Sequence, residues 1–134
     1  MNGWIGVDLD GTLAEYHGFP PDGSIGKPIE PMVARVKNWL AEGKDVRIFT
    51  ARIWPLGTAS ESAIIADWVE SNGNIVTART DVPRQLELVK AWCREHLGRE
   101  LPVTCIKDFG MLTLYDDRCC QVEKNTGRLI MDRD

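Results

Sequence analysis

The segment WIGVDLDGTL, residues 4–13, joins a short apolar run to two aspartates separated by one residue. An apolar run of this length, followed by Gly11, is typical of a buried strand that ends in a turn. A charge at the end of a buried strand needs a partner or a chemical role, because desolvating it costs free energy. The segment therefore predicts a strand at residues 4–8 whose carboxyl end places Asp8 and Asp10 in a polar site.

Predicted helices and strands alternate along the rest of the chain. Apolar residues at helical spacing, with residues suited to helix ends such as Pro31 and Gly43, predict the helices. The predicted helices are 31–42, 59–72 and 82–97, and the further strands are 45–49, 103–106 and 112–115, followed by a small hairpin around Asn125–Gly127. This alternation predicts one α/β domain, residues 1–134, with a three-layer Rossmann-like fold in which helices cover both faces of a mainly parallel sheet.

Charge and hydropathy argue against several classes of function. The 134 residues carry a formal net charge of -4, so the chain shows no basic footprint for nucleic acid. No window approaches about 18 uninterrupted apolar residues. Asp8 and Asp10 also interrupt the N-terminal region where a signal peptide would be hydrophobic. We therefore expect no membrane partner and no export, and hence a cytoplasmic protein.

The cysteines form neither a CxxC pair nor a spacing that suits zinc; they are Cys93, Cys105, Cys119 and Cys120. We expect them to be reduced thiols, which agrees with a cytoplasmic location. Because Cys119 and Cys120 are adjacent, at least one of them is expected to point into the core.

Polar residues follow the predicted strands at their carboxyl ends. In a parallel sheet these ends meet at one edge, where ligands bind. The residues are Asp8 and Asp10 after the first strand, Thr50 after the second, Lys107 after VTCI, and Asp116 with Asp117 after LTLY. Four carboxylates at one edge repel one another unless a cation neutralises them, and an all-oxygen set suits Mg²⁺. Together with a lysine and a threonine hydroxyl, they predict a site for a phosphoryl group.

The spacing of the two aspartates suits phosphoryl transfer. An aspartate at a strand end can attack phosphorus and form an aspartyl phosphate. A second carboxyl group two residues on can protonate the leaving oxygen and later activate water. Gly11 lets the chain turn away from the strand, and Thr12 can donate hydrogen bonds that fix the turn.

Four features of the chain, VDLDGTL, FTAR, Lys107 and LYDD, follow one another over residues 4–117. In this order they resemble the four motifs of the haloacid dehalogenase (HAD) superfamily of phosphohydrolases. The resemblance implies a HAD-like fold with Asp8 as nucleophile, Asp10 as general acid/base, and Thr50 and Lys107 holding the phosphoryl oxygens. The magnesium ligands that it implies are Asp8, Asp116, Asp117 and, through its backbone carbonyl, Asp10. Because the position of the family's lysine varies, Lys90 is the alternative to Lys107.

The same resemblance bears on the reaction and on the size of the substrate. Within the family, an aspartate at the position of Asp10 favours a phosphatase or a phosphomutase, because the leaving alcohol needs a proton. Larger members insert a cap domain, whereas here residues 15–28 form only a short segment, which we call the flap. The resemblance thus implies a capless or minimally capped member. Open sites of this type often serve macromolecular substrates or use oligomer partners for closure, so a homo-oligomer is one expectation.

Two questions stay open at this level. Tyr16, His17 and Phe19 of the flap either contact substrate or pack the loop, and Arg52 either binds substrate near the leaving group or serves only as a solvated or helix-capping residue. The expected function is a Mg²⁺-dependent phosphatase acting on a phosphomonoester of unknown class, with phosphate-ended nucleic acid still among the candidates. The alternative is a non-catalytic regulatory domain that binds metal and phosphoryl groups on the same scaffold.

Overall fold

The computed structural model describes residues 2–18, 20–54 and 82–130. Its elements, in chain order, are β1 (Trp4–Asp8), α1 (Glu30–Ala41), β2 (Asp45–Phe49), a 3₁₀ turn (Ala51–Ile53), α2 (Val82–Leu97), β3 (Val103–Thr104) and β4 (Met111–Tyr115). The predicted bounds of β1, β2 and α2 agree with the structure, and those of α1 and β4 differ by one residue. The helix predicted at 59–72 lies outside the described residues.

Strand β3 is two residues shorter than predicted. Its partner β2 ends at Phe49, so β2 does not extend beside Cys105 and Ile106. The chain turns there instead, and the backbone N–H of Ile106 donates to the side-chain oxygen of Thr104 at 3.0 Å. Lys107 therefore follows a turn rather than the end of a longer strand.

The four strands of the described ranges are all parallel, and their order across the sheet is β3-β2-β1-β4. The chain adds β2 and β3 on one side of β1 and then crosses to the other side to add β4. The direction of strand addition therefore reverses between β1 and β4. In open α/β sheets, ligands bind beyond the carboxyl ends of the strands at such a reversal point.

One face of this sheet packs against both described helices. Val7 and Ile48 of the sheet, Val36 of α1 and Val89 of α2 expose no surface and belong to one hydrophobic core. Burying a side chain of this kind contributes about 1.5–3 kcal/mol relative to leaving it in water. A parallel sheet with helices packed on it confirms the predicted α/β Rossmann-like fold.

Trp4 anchors the opposite face at the beginning of β1. Its ring stacks on Phe49 with centroids 6.5 Å apart, and the guanidinium of Arg47 lies 4.8 Å from the ring centroid. The indole N–H of Trp4 donates to Asp108 at 2.9 Å, and its backbone N–H donates to the carbonyl of Gly110 at 2.8 Å. These bonds hold the segment between β3 and β4 against the start of β1.

The ends of α1 follow from its sequence. Pro31 lies in the first turn, where its missing N–H costs no helical hydrogen bond. Gly43 follows the helix with a φ of +79°, and its N–H donates to the carbonyl of Leu40 at 3.0 Å, which closes the last turn. Of the helices in the described ranges, none is both long enough and apolar enough to span a bilayer.

The segment after β4 holds one confirmed prediction and one that is wrong. Val122 forms an antiparallel bridge with Leu129 across a turn that contains Gly127 at a φ of +78°, which is the small predicted hairpin. The prediction that Cys119 or Cys120 points into the core is wrong, because both are exposed. They lie in irregular chain, where the inward and outward alternation of a strand does not apply. All four cysteines lie in the described ranges, and none of them forms a disulfide.

Candidate functional site

The register between β1 and β4 determines which residues meet at the reversal point. Val7 pairs with Tyr115, so Asp8 and Asp116 leave the sheet side by side at its carboxyl edge. Asp117 follows directly. The carboxylates of these three aspartates each have an oxygen within 4.8 Å of the others. The structure thus brings together three of the four predicted acidic residues into what we call the acidic cluster, Asp8, Asp116 and Asp117.

Gly11 and Thr12 bind the first loop to this cluster. A Cβ atom on Gly11 would lie 2.6 Å from a carboxylate oxygen of Asp117, and Gly11 has a φ of +91°, so both space and backbone conformation require glycine. The hydroxyl of Thr12 accepts from the backbone N–H of Asp117 at 3.0 Å. The same hydroxyl lies 3.2 Å from a carboxylate oxygen of Asp8 and of Asp117, and its single proton can be donated to one of them at a time.

The acidic cluster perturbs Asp8 strongly. Burial, the charge of Asp116 and the hydrogen bond and charge of Asp117 together raise the pKa of Asp8 to about 8, against a smaller opposing effect of the Thr12 hydrogen bond. Burial acts by disfavouring the charged form, and the neighbouring carboxylates act by repulsion. Without a cation, Asp8 is therefore the carboxyl group of this cluster that holds its proton at neutral pH.

The acidic cluster fits a magnesium ion in chemistry and spacing. Carboxylate oxygens are the hard ligands that Mg²⁺ prefers, and opposite ligands of one Mg²⁺ lie roughly 4 Å apart. The largest separation within the cluster, 4.8 Å, is close to that value. A divalent cation would also relieve the repulsion that raises the pKa of Asp8. The donor set is therefore suitable for Mg²⁺ at Asp8, Asp116 and Asp117.

Asp10 is separate from the acidic cluster, although only one residue separates it from Asp8. Its two carboxylate oxygens accept from the Nε and Nη2 groups of Arg52 at 2.7 and 2.8 Å. This paired geometry is the strong, bidentate form of an arginine–carboxylate contact. The side chain of Asp10 thus forms an ion pair with Arg52. The predicted metal contact through the backbone carbonyl of Asp10 stays a prediction.

Arg52 lines the cavity at this site, but its donors serve the protein. Besides Asp10, it donates to the carbonyls of Gly23 and Ser24 and, at 2.9 Å, to the side-chain oxygen of Gln85. A guanidinium has five N–H donors, and these contacts use all five. A substrate contact by Arg52, as predicted, would require one of these bonds to break.

Thr50 lies at the carboxyl end of β2 and lines the same cavity. It is 2% exposed, and its hydroxyl oxygen accepts from the backbone N–H of Arg52 at 3.1 Å, which caps the 3₁₀ turn. Within the described chain, the proton of this hydroxyl has no acceptor. Thr50 can therefore donate a fixed hydrogen bond to a ligand, the role predicted for it.

The structure does not bring either candidate lysine into the cavity. Lys107 is exposed, and the residue after it, Asp108, is bonded to Trp4 at the beginning of β1. Lys90 lies in the middle of α2. Neither is among the described residues that line the cavity. The role of a lysine in holding the phosphoryl group stays a prediction.

The cavity has a volume of about 290 Å³ and contains residues that the sequence analysis did not single out. The described residues that line it are Asp8, Asp10, Tyr16, Phe49, Thr50, Ala51, Arg52, Asp116, Asp117 and Arg118. Arg118 is the notable addition, because it adds a cationic residue to a lining that also contains Asp8, Asp116 and Asp117. Its position directly after the acidic pair was the only signal in the sequence. Tyr16 of the flap lines the cavity, the side chain of His17 is 85% exposed, and Phe19 lies outside the described residues.

Comparison of the chain with protein-family models, with curated proteins and with solved structures finds no match. Function is therefore inferred from the geometry of the site and from the sequence motifs.

We expect the metal-free protein to lose stability as the pH rises. Because the pKa of Asp8 is about 8 when folded and near 4 when unfolded, folding favours the protonated form. The resulting stabilisation is complete below about pH 4 and is lost as the pH rises from about 4 to about 8. Urea unfolding in a chelator at pH 5 and pH 8 measures this. Asp8→Asn, which cannot ionise, should flatten the difference, and an equal pH dependence in both proteins would contradict the assignment.

Magnesium should raise the melting temperature by binding the folded state. We expect a clear rise in the wild type and nearly the same rise in Asp10→Asn. The rise should be much smaller in Asp116→Asn, because this substitution removes a carboxylate from the acidic cluster. Asp10 is the matched control because its carboxylate binds Arg52 rather than the cluster. A thermal-shift titration with MgCl₂ measures all three. Equal shifts would mean that the acidic roles are misassigned.

Proposed function

We propose that the protein is a Mg²⁺-dependent phosphatase that hydrolyses a phosphomonoester through an aspartyl phosphate on Asp8. The observation that carries this proposal is the contrast between two aspartates of one loop. Asp8 lies among carboxylates that fit a cation, whereas Asp10 lies in an ion pair with Arg52. Two carboxyl groups held in different electrostatic environments can perform two different roles, one as nucleophile and one as proton carrier.

In the proposed reaction, a carboxylate oxygen of Asp8 attacks phosphorus, and the bond from phosphorus to the leaving oxygen breaks. Asp10 enters this step protonated and gives its proton to that oxygen, so the alcohol leaves neutral. Asp10 then takes a proton from water, whose oxygen attacks the phosphorus of the aspartyl phosphate. Inorganic phosphate departs, and the Asp8 carboxylate is restored. Bound Mg²⁺ would keep Asp8 ionised and offset the negative charge of the phosphoryl group.

Two residues of the cavity are suited to hold the phosphoryl oxygens. Thr50 offers a fixed hydroxyl donor, and Arg118 offers a guanidinium whose planar fork matches phosphate oxygens. Arg118 is exposed, and its backbone N–H donates to Asp116 at 2.9 Å, so the turn fixes the backbone of this residue next to Asp116. We propose that Arg118 supplies the cationic contact that the motif resemblance assigns to Lys107.

The resemblance to HAD phosphohydrolases supports the same reaction independently of the cavity, because it assigns nucleophile and proton carrier to the same two aspartates. The proposed substrate is a phosphomonoester whose leaving group the cavity does not define. We also propose a cytoplasmic location, where the four cysteines would stay reduced. The alternative, a non-catalytic domain that binds metal and phosphoryl groups, uses the same cluster but gives no role to Asp10.

Purified protein with MgCl₂ should release phosphate in a screen of aryl phosphate, nucleotides, sugar phosphates, phosphopeptides and phosphate-ended oligonucleotides. Asp8→Asn should abolish release, since loss of the nucleophile removes the covalent route and commonly costs several orders of magnitude. Undiminished turnover in Asp8→Asn would refute the mechanism. If no substrate turns over but magnesium with beryllofluoride still raises the melting temperature, the non-catalytic alternative is favoured.

Matched substitutions distinguish the two candidate cations. Arg118→Gln should raise KM for the substrate about tenfold or more, because a charged hydrogen bond to phosphate contributes roughly 1.5–3 kcal/mol. Lys107→Gln removes the same charge from a residue outside the cavity lining and should leave KM within about twofold. Steady-state kinetics on the best substrate of the screen gives both values. The reverse result would assign the phosphoryl contact to Lys107 and contradict the proposal for Arg118.

A further inference from the structure

Arg52 connects three parts of the molecule that are distant in sequence. It joins Asp10 of the first loop to the flap carbonyls of Gly23 and Ser24, and to Gln85 near the start of α2. Its contacts with Ser24 and Gln85 measure 3.0 and 2.9 Å. The same guanidinium thus sets the position of a proposed catalytic carboxyl group and of the flap beside it.

The side chains of Arg52 and Gln85, which make this connection, are buried. Arg52 is 4% exposed, and Gln85 is fully buried, so neither can exchange a protein partner for bulk water without a structural change. An uncompensated charge in such a place is costly, and breaking a buried pair by removing one partner commonly destabilises strongly. If Asp10 rotated away or the flap carbonyls moved, Arg52 would lose a partner that the surroundings do not replace.

The bidentate contact with Arg52 also determines the orientation of the Asp10 carboxyl group. Each of its oxygens accepts one of two parallel N–H bonds, so the plane of the carboxyl group is fixed by the guanidinium. Its side chain is kept out of the acidic cluster only one residue away. A lysine in place of Arg52 would keep the charge but provide a point contact, and would leave the carboxyl group free to rotate.

We propose that Arg52 is a positioning residue that ties the orientation of the Asp10 carboxyl group to the position of flap residues Gly23 and Ser24. Arg52 does not touch the reacting atoms; it acts through Asp10. The kinetic part of this inference rests on the proposed phosphatase function, whereas the structural coupling does not.

The kinetic test compares Arg52→Lys with Arg84→Lys. Arg84 also donates to a flap carbonyl, that of Asp22 at 2.9 Å, but it lies outside the proposed machinery. If Arg52 positions the proton donor, Arg52→Lys should lower kcat by about 10- to 100-fold on an alkyl phosphate. It should lower kcat much less on p-nitrophenyl phosphate, whose leaving group needs no proton.

Asp10→Asn should show the same leaving-group dependence. Arg84→Lys should change both substrates equally and little, and an equal loss on both substrates in Arg52→Lys would overturn the proposal.

The coupling itself is tested without activity, by deuterium uptake of peptides spanning residues 20–26. Asp10→Asn places an amide against the guanidinium and should raise exchange in this flap segment about tenfold, the effect of losing one charged hydrogen bond. Asp8→Asn, the same change at an aspartate without a contact to Arg52, should leave the uptake as in wild type. Equal uptake in the two variants would refute the coupling even if the phosphatase activity is found. Faster uptake in Asp10→Asn alone would support it even if no substrate is found.

Discussion

The pairing of β1 with β4 is the constraint on which the candidate site depends. Along β4 one residue, Leu112, is passed over in the register, since Trp4 pairs with Met111 but Ile5 pairs with Thr113. Such an irregularity inserts an extra residue and shifts everything that follows it by one position. Without the shift, Asp8 would lie beside Tyr115, and the acidic pair would begin one residue farther away. A local defect in the edge strand therefore places the carboxylates beside each other.

This placement leaves two neighbouring aspartates, Asp8 and Asp10, in different electrostatic surroundings. Asp8 meets two further carboxylates, and its raised pKa reports their repulsion together with burial. Asp10 meets a guanidinium that is itself held by the flap and by α2. The tight turn at Gly11 makes this separation possible, because it sends the chain away from the strand directly after Asp10. One loop therefore carries two carboxyl groups whose surroundings have opposite sign.

Much of this fold could be predicted from the sequence, because its strands and helices are defined locally. The apolar run before Asp8 and the helical spacing in residues 82–97 depend on neighbours in the chain, and both elements lie where they were predicted. The polar residues at the carboxyl ends of β1, β2 and β4 were also predicted, because parallel strands must end at one edge.

What the sequence did not reveal depends on contacts between distant residues. The pairing of Asp10 with Arg52 joins residues 42 positions apart, and no local pattern encodes it. Lys107 was assigned on the assumption that VTCI forms a full strand. Because β2 ends before Cys105 has a partner, the strand stops at Thr104 and the lysine follows a turn. The register shift at Leu112 likewise cannot be recognised from residue types, because leucine is common in strands with or without such a shift.

The base of the flap has a consequence for how such a protein can change over time. Ala14 bridges Pro28, and the backbone N–H of Glu15 donates to the carbonyl of Lys27 at 2.8 Å, so the two arms of the loop are clamped where they leave the core. A clamped loop can grow at its tip at small entropic cost, since each doubling of its length costs only about 0.6 kcal/mol. Extra residues near His17 would therefore enlarge the cover of the cavity and alter what can enter it. As long as Gly23 and Ser24 kept their contacts with Arg52, the aspartates beneath would keep their positions. The range of molecules that the cavity admits could then change while the carboxyl groups stay in place.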